Sequence, residues 1–312
     1  GDFFQNQGNF DKALIAYKNA INIKNNHFQT YNNMAYVLHC QNKLEDSIAC
    51  YKKAIFYNPD YAQAHQNLSY TLLNYGILKE GLDEYEWRWK TPKFLSQKRD
   101  FLQPKWDGKK SLKDKKILIW SEQGIGDTIK WSSVLPLVTS IAKSCILECQ
   151  EKLVPLLKRS FPNVDVKAVD ISNDLERTDF DFHLPMGSLY KCFLDEITKT
   201  PKPNSYLKAD PDRVSFWRDR LNEVGKSPFY GISWKSSNME PSRLKNYAPI
   251  NEWSNLLKLP DTTFVNLQYK DFENDLKDIH DQFGVMVHNF DDLDHYNDID
   301  DVAALCSALD AV

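Results

Sequence analysis

The chain has 312 residues, enough for two or three domains with cores of their own. Its formal net charge is −4 and no apolar run reaches the length of a membrane span, so composition gives no reason to expect a nucleic-acid surface or a spanning segment. The cysteines (Cys40, Cys50, Cys145, Cys149, Cys192, Cys306) form no Cys-x-x-Cys pair and sit in apolar patterns, which predicts reduced thiols in a cytoplasmic or membrane-peripheral protein. Gly1 opens inside a helical pattern, so the sequence reads as a fragment of a longer protein.

Residues 1–98 repeat themselves. Gly8, Asn42 and Gly76 fall in register, as do Ala13, Ser47 and Gly81, and Tyr17, Tyr51 and Tyr85. Each copy predicts two amphipathic helices with a turn at the Gly/Asn position, small residues where helices cross and aromatics between them. That period and spacing match the tetratricopeptide repeat. The concave face of such an array takes a peptide or protein partner, and Asn32, Asn33, Asn67 and Lys24 are polar positions that would line it. The third copy ends in Tyr85-Glu86-Trp87-Arg88-Trp89. Tryptophans two apart cannot share a helix face, so one of them is expected to dock the array onto the next domain. A lysine-rich connector follows at 99–114, with Pro104, Gly108 and Trp106 as its anchor.

The stretch from Lys115 to Val138 starts a first Rossmann-like lobe, 115–225. Ile117 to Trp120 predicts a buried parallel strand. Gly124 and Gly126 make a turn, and Ile129, Val134, Leu135 and Val138 line one following helix. Glycines there let a ligand approach the backbone, and the helix start offers N–H groups to an anion. Asp127 would stand at the carboxyl end of the strand, where open α/β sheets keep their chemistry. The alternative stays open: the glycines make a tight turn and Asp127 caps the helix.

Further strands are predicted at Cys145–Cys149, Val164–Val169 and Phe180–Leu184, with a short helix from Lys152 to Ser160. A helix capped by Asp210 runs to Val224 with Trp217 and Leu221 inward. A second lobe, 226–312, alternates the strand Phe229–Trp234, a helix from Asn251, the strand Thr263–Leu267, a helix from Glu273, the strand Val285–Val287 and a helix from Asp300. The acidic run Asp291, Asp292, Asp294, Asp298, Asp300 and Asp301 reads as a solvated loop and a helix cap rather than a metal site. His183 and His288 read as satisfied polar groups beside strands. The Gly-x-Gly turn lacks the Lys-Ser/Thr of a P-loop, and there is no Gly-x-Ser-x-Gly.

Trp106-Asp107-Gly108, Ile119 through Ile129, Gly231-Ile232-Ser233-Trp234-Lys235-Ser236, Asn266-Leu267-Gln268-Tyr269 and Asn297 through Asp301 with Ala303-Ala304-Leu305 together resemble bacterial tetratricopeptide-repeat proteins with a glycosyltransferase family 9, heptosyltransferase-like domain. The resemblance implies a repeat solenoid followed by a GT-B pair of lobes, acceptor on the first and nucleotide-sugar on the second, with inverting transfer and no metal or cofactor. Asp127 matches the family's base. Gln123, Gly124, Gly126 and Thr128 accompany it, and Trp234, Lys235, Ser236, Arg243, Lys245 and Gln268 would serve the donor. The family's donor signature should follow the strand near Leu309, so the second lobe is expected to be cut short at Val312. The other outcome is a non-catalytic repeat scaffold with a degenerate transferase domain.

Overall fold

The computed structural model describes residues 1–172, 174–199, 205–236 and 247–312. Its first part consists of helices α1 (Asp2–Asn6), α2 (Phe10–Ile23), α3 (Phe28–Cys40), α4 (Leu44–Tyr57), α5 (Ala62–Tyr75) and α6 (Leu78–Tyr85). Gly8, Asn42 and Gly76 join α1 to α2, α3 to α4 and α5 to α6, with φ of 72°, 61° and 93°. That left-handed backbone strains most side chains, which is why the register holds Gly or Asn. Ala13 and Ser47 are fully buried, and a Cβ on Gly81 would come within 2.9 Å of Leu73. Tyr17 and Tyr51 pack between helices, whereas Tyr85 leaves the repeat core and joins that of the next domain beside Trp131. Asn67 donates to Asn32 (3.1 Å) and Asn32 to Asn33 (3.0 Å) across α3 and α5. Lys24, by contrast, lies just past α2.

A single 3-10 turn, Glu86–Lys90, leads into α7 (Pro92–Leu95). The two tryptophans part company there. Trp87 lies flat on His65, ring centroids 3.7 Å apart, and so grips the array. Trp89 packs 5.6 Å from Trp120, at the end of β1 (Lys116–Trp120). The expected connector is built into the first lobe: Trp106 is buried and its backbone N–H donates to His183 O (2.8 Å), and Arg99 pairs with Glu148 (2.5 Å) and Asp174.

In the first lobe β1 lies between β2 (Ser144–Cys149) and β4 (Phe182–Pro185), with β3 (Val164–Ala168) outside β2, all parallel. The helix expected through Val138 is two, α8 (Ile125–Ser132) and α9 (Leu135–Ile141). Pro136 has no N–H to bond and its ring would clash with the Ser132 carbonyl, so the first helix stops. Strand β4 begins two residues later than expected, although Phe180 is still buried against Trp120 and Ile146. Helices α10 (Val154–Ser160), α11 (Leu189–Cys192) and α12 (Leu194–Lys199) complete the lobe.

The second lobe contains α13 (Pro211–Val224), β5 (Phe229–Ile232), α14 (Ser254–Leu257), β6 (Thr263–Asn266), α15 (Glu273–Phe283), β7 (Val287–His288) and α16 (Ile299–Ala308). Asp210 caps α13 as expected, accepting from the N–H of Asp212 and Arg213. The expected boundary at 225 moves, because α13 packs on α16 and puts Trp217 and Leu221 into a core with Phe229 and Val265. Strands β5, β6 and β7 are parallel in that order, and Ala311 pairs in parallel with Tyr230 on the free edge of β5. Both sheets are therefore wound alike, each first strand flanked by the second on one side and by the last on the other.

Candidate functional site

Gln123 to Thr128 carry the chain from β1 into α8. Gly124 is the helix N-cap with φ −70° and ψ 171°, and neither it nor Gly126 has a positive φ. The tight-turn reading is thus corrected: the backbone does not demand glycine here. A Cβ on Gly126 would meet nothing within 4 Å, and one on Gly124 only Asp127 Oδ2 at 3.8 Å. What the glycines provide is open space over the first N–H groups of the helix. Asp127 does not cap it either, since no side chain does. Its carboxylate is half-buried and, among the described residues, has no hydrogen-bond or ion-pair partner.

The turn is held from behind. Buried Thr128 donates its hydroxyl to Gly124 O (3.2 Å) and Gln150 Oε1 (3.0 Å), and Gln150 Nε2 donates to Gln123 O (2.5 Å). Gln123 Nε2 donates to the hydroxyl of Tyr85, tying the turn to the last repeat. Gln150 was not among the expected residues; its place directly after β2 was the available signal.

The gap between β1 and β4 is where strand order reverses, and such a crevice commonly takes a ligand. Here it is filled from within. Glu122 accepts from Gly187 N (3.1 Å) and pairs with Arg88 Nη2 (3.1 Å); both side chains are 0 % exposed. Arg88 also donates to Ser188 Oγ (3.0 Å) and Glu86 (2.8 Å). Gly187 must be glycine, since a Cβ would lie 2.5 Å from Glu122 Oε1. Burial pushes the Glu122 carboxyl up, with Arg88 opposing. Burial works against ionisation of Glu86 too, but Arg88 and Lys105 outweigh it and hold that group at about 2. Beside the filled crevice, a cavity of about 580 Å³ opens off the end of β1, lined by Arg99, Trp120, Ser121, Ile171 and Leu175 among others.

The donor-side expectations fare differently. Lys235 Nζ is 2.5 Å from Asp275 Oδ2, which also accepts from Trp234 Nε1 (2.7 Å), so the cation is already engaged. Trp234 is buried in the core around Phe264. Gln268 is 1 % exposed; its Oε1 accepts from Ser233 Oγ and the N–H of Trp234 and Lys235, so it latches the loop after β5 instead of facing a ligand. Ser236 follows, half-buried, and Arg243 and Lys245 lie outside the described residues. Asp298 caps α16 as expected. The rest of the acidic run is not simply solvated: Asp300 pairs with Arg159, Asp301 with Arg213 (2.6 Å) and Asp292 with Arg220 (2.6 Å). Burial, with Lys105 and Arg99 nearby, holds His183 down at about 4, so its neutral Nδ1 can accept from Trp120 Nε1 (3.3 Å).

The lobes meet at the carboxyl ends of their sheets. Lys152, after β2, donates to Tyr296 O (2.8 Å), which follows β7, and Tyr296 stacks against Tyr269, which follows β6. Arg159 on α10 binds Asp300 on α16.

Residues 36–76 match the family described as TPR repeat. That match lies within the paired helices α1 to α6 of the N-terminal region. The chain is 32% identical over 257 residues to Protein FlbA of Caulobacter vibrioides, an alignment covering 77% of this chain but 43% of that protein. It thus spans less than half of that relative. Among solved structures it is similar to the glycosyl transferase family 9 protein of Veillonella parvula DSM 2008 (13% identity, TM-score 0.48, 64% of this chain and 75% of that one). It is also similar to a mutant O-GlcNAc transferase of Thermobaculum terrenum (14% identity, TM-score 0.31, 91% and 65%). Among the described residues no helix is long and apolar enough to cross a membrane.

Proposed function

We propose that the two lobes transfer a sugar from a nucleotide-sugar to a glycan or protein acceptor, with the repeat array holding the acceptor or a partner. The observation that carries this reading is the unpartnered Asp127 carboxylate beside two glycines that leave the helix start open. A sugar hydroxyl is a poor nucleophile, and a carboxylate within reach of its proton lowers the barrier. The hydroxyl oxygen attacks the anomeric carbon, Asp127 takes the proton, and the bond to the diphosphate breaks with the electron pair leaving on the nucleotide. Configuration inverts in one step. Ser236, Arg243 and Lys245 are the donor-side groups proposed to meet the phosphates, with Lys235 held by Asp275.

A second reading, a repeat scaffold that has lost catalysis, is favoured by the Arg88–Glu122 plug in the strand-reversal crevice and by the engagement of Lys235 with Asp275. Hydrolysis and transfer assays with a panel of nucleotide-sugars on the full-length protein separate the two. Asp127→Asn should keep the melting temperature and lose about 100-fold or more in turnover. Undiminished turnover in that variant removes Asp127 from the chemistry, and no turnover with any donor leaves the scaffold.

A further inference from the structure

We propose that Lys152 and Lys270, one from each lobe, form an anion site for the diphosphate of a nucleotide at the mouth between the lobes. The two ammonium groups converge on one ring, lying 4.0 Å and 4.4 Å from the centroid of Tyr296. Tyr296 is 45 % exposed and stacks with Tyr269 at 6.0 Å. Among the described residues neither lysine has a carboxylate within ion-pair distance, although most basic side chains near the lobe junction have one. Asp294, the nearest acid along the Tyr296 loop, spends its oxygens on the N–H groups of Tyr296 and Asn297 and on the Asn297 side chain. Lys152 donates to Tyr296 O and feels the Asp294 charge from beyond ion-pair distance, so two ammonium groups at one ring keep only part of their charge compensated, and a dianion that both can reach adds attraction.

Position supports the same ligand. Lys152 follows β2, Lys270 follows β6 and Tyr296 follows β7, so the group sits where carboxyl ends of both parallel sheets come together. The tyrosine rings add an aromatic surface against which a base or ribose can pack. Lys235 cannot supply this charge while Asp275 holds it. The site rests on the proposed reaction only for its choice of nucleotide; the phosphate chemistry follows from the lysines alone.

Calorimetry on the full-length protein with inorganic pyrophosphate and with UDP, GDP and ADP tests it. Lys152→Met and Lys270→Met should each weaken diphosphate binding about tenfold, and Lys270→Arg should retain it. Tighter binding of one nucleoside diphosphate than of pyrophosphate assigns the aromatic surface to a base. Equal binding by both methionine variants and the unaltered protein, or no binding of any diphosphate, overturns the site. Nucleotide-sugar turnover with an unchanged KM in the lysine variants sinks the site alone, whereas lysine-dependent binding without turnover sinks the transfer reaction alone.

Discussion

The molecule has two internal junctions, built from opposite materials. Array and first lobe are joined through buried groups: Arg88 and Glu122 without solvent exposure, Tyr85 in the lobe's core, and Trp89 against Trp120. First and second lobes are joined by polar contacts at the rim, Arg159 with Asp300 and Lys152 with Tyr296, with Ile299 as an apolar contact. Buried charge pairs tolerate no loosening, because separation leaves an uncompensated ion. Rim contacts exchange readily with water. The array and the first lobe therefore behave as one body, and relative motion belongs between the lobes.

Arg88→Met should break this contrast most severely. It leaves Glu122 buried without its cation, while Glu86 keeps Lys105, and should cost about 3–5 kcal/mol, read as a drop in the urea midpoint. The double variant Arg88→Met/Glu122→Gln should recover part of it; no recovery would mean that Arg88 acts through packing alone. Next comes acid. Glu86 is held at about 2 against an ordinary 4.5, so its contribution is full above the ordinary value and is lost as pH falls through the folded one. Glu122 is shifted the other way and gives a slope of opposite sign, above the ordinary carboxylate value. The midpoint should decline on going from neutral pH towards about 3, and Glu86→Gln should flatten that decline. Arg159→Met should be mildest, below about 1 kcal/mol. It should speed amide exchange in α13 and α16 while leaving α8 unchanged. An effect matching that of Arg88→Met would erase the distinction between the junctions.

The array was legible in the sequence because its geometry constrains single residues. A left-handed turn selects Gly or Asn, and a close helix crossing selects Ala, Ser or Gly. The parallel strands of the first lobe were legible for a similar reason, as short apolar runs bounded by turns. Less visible was anything decided by long-range pairing. Arg88 lies between two tryptophans, and nothing near it in the chain points to Glu122 as its partner. Gln268 and Lys235 read as ligand groups because nothing in their neighbourhood announces Asp275 or the loop they fasten. Helix α13 reads as part of the first lobe because its partner α16 comes only near the end of the chain. At Gly124 and Gly126 the sequence allows both an open approach and a tight turn, since only the structure distinguishes an empty space from a strained backbone.

The 3-10 turn between the two tryptophans has a mechanical consequence. One ring is pressed onto the array and the other onto the strand that ends at the proposed active turn, with only Arg88 between them. Torque applied to the helices is delivered to the carboxyl end of that strand without slack. The array works as a handle on the first lobe, not as a tether beside it.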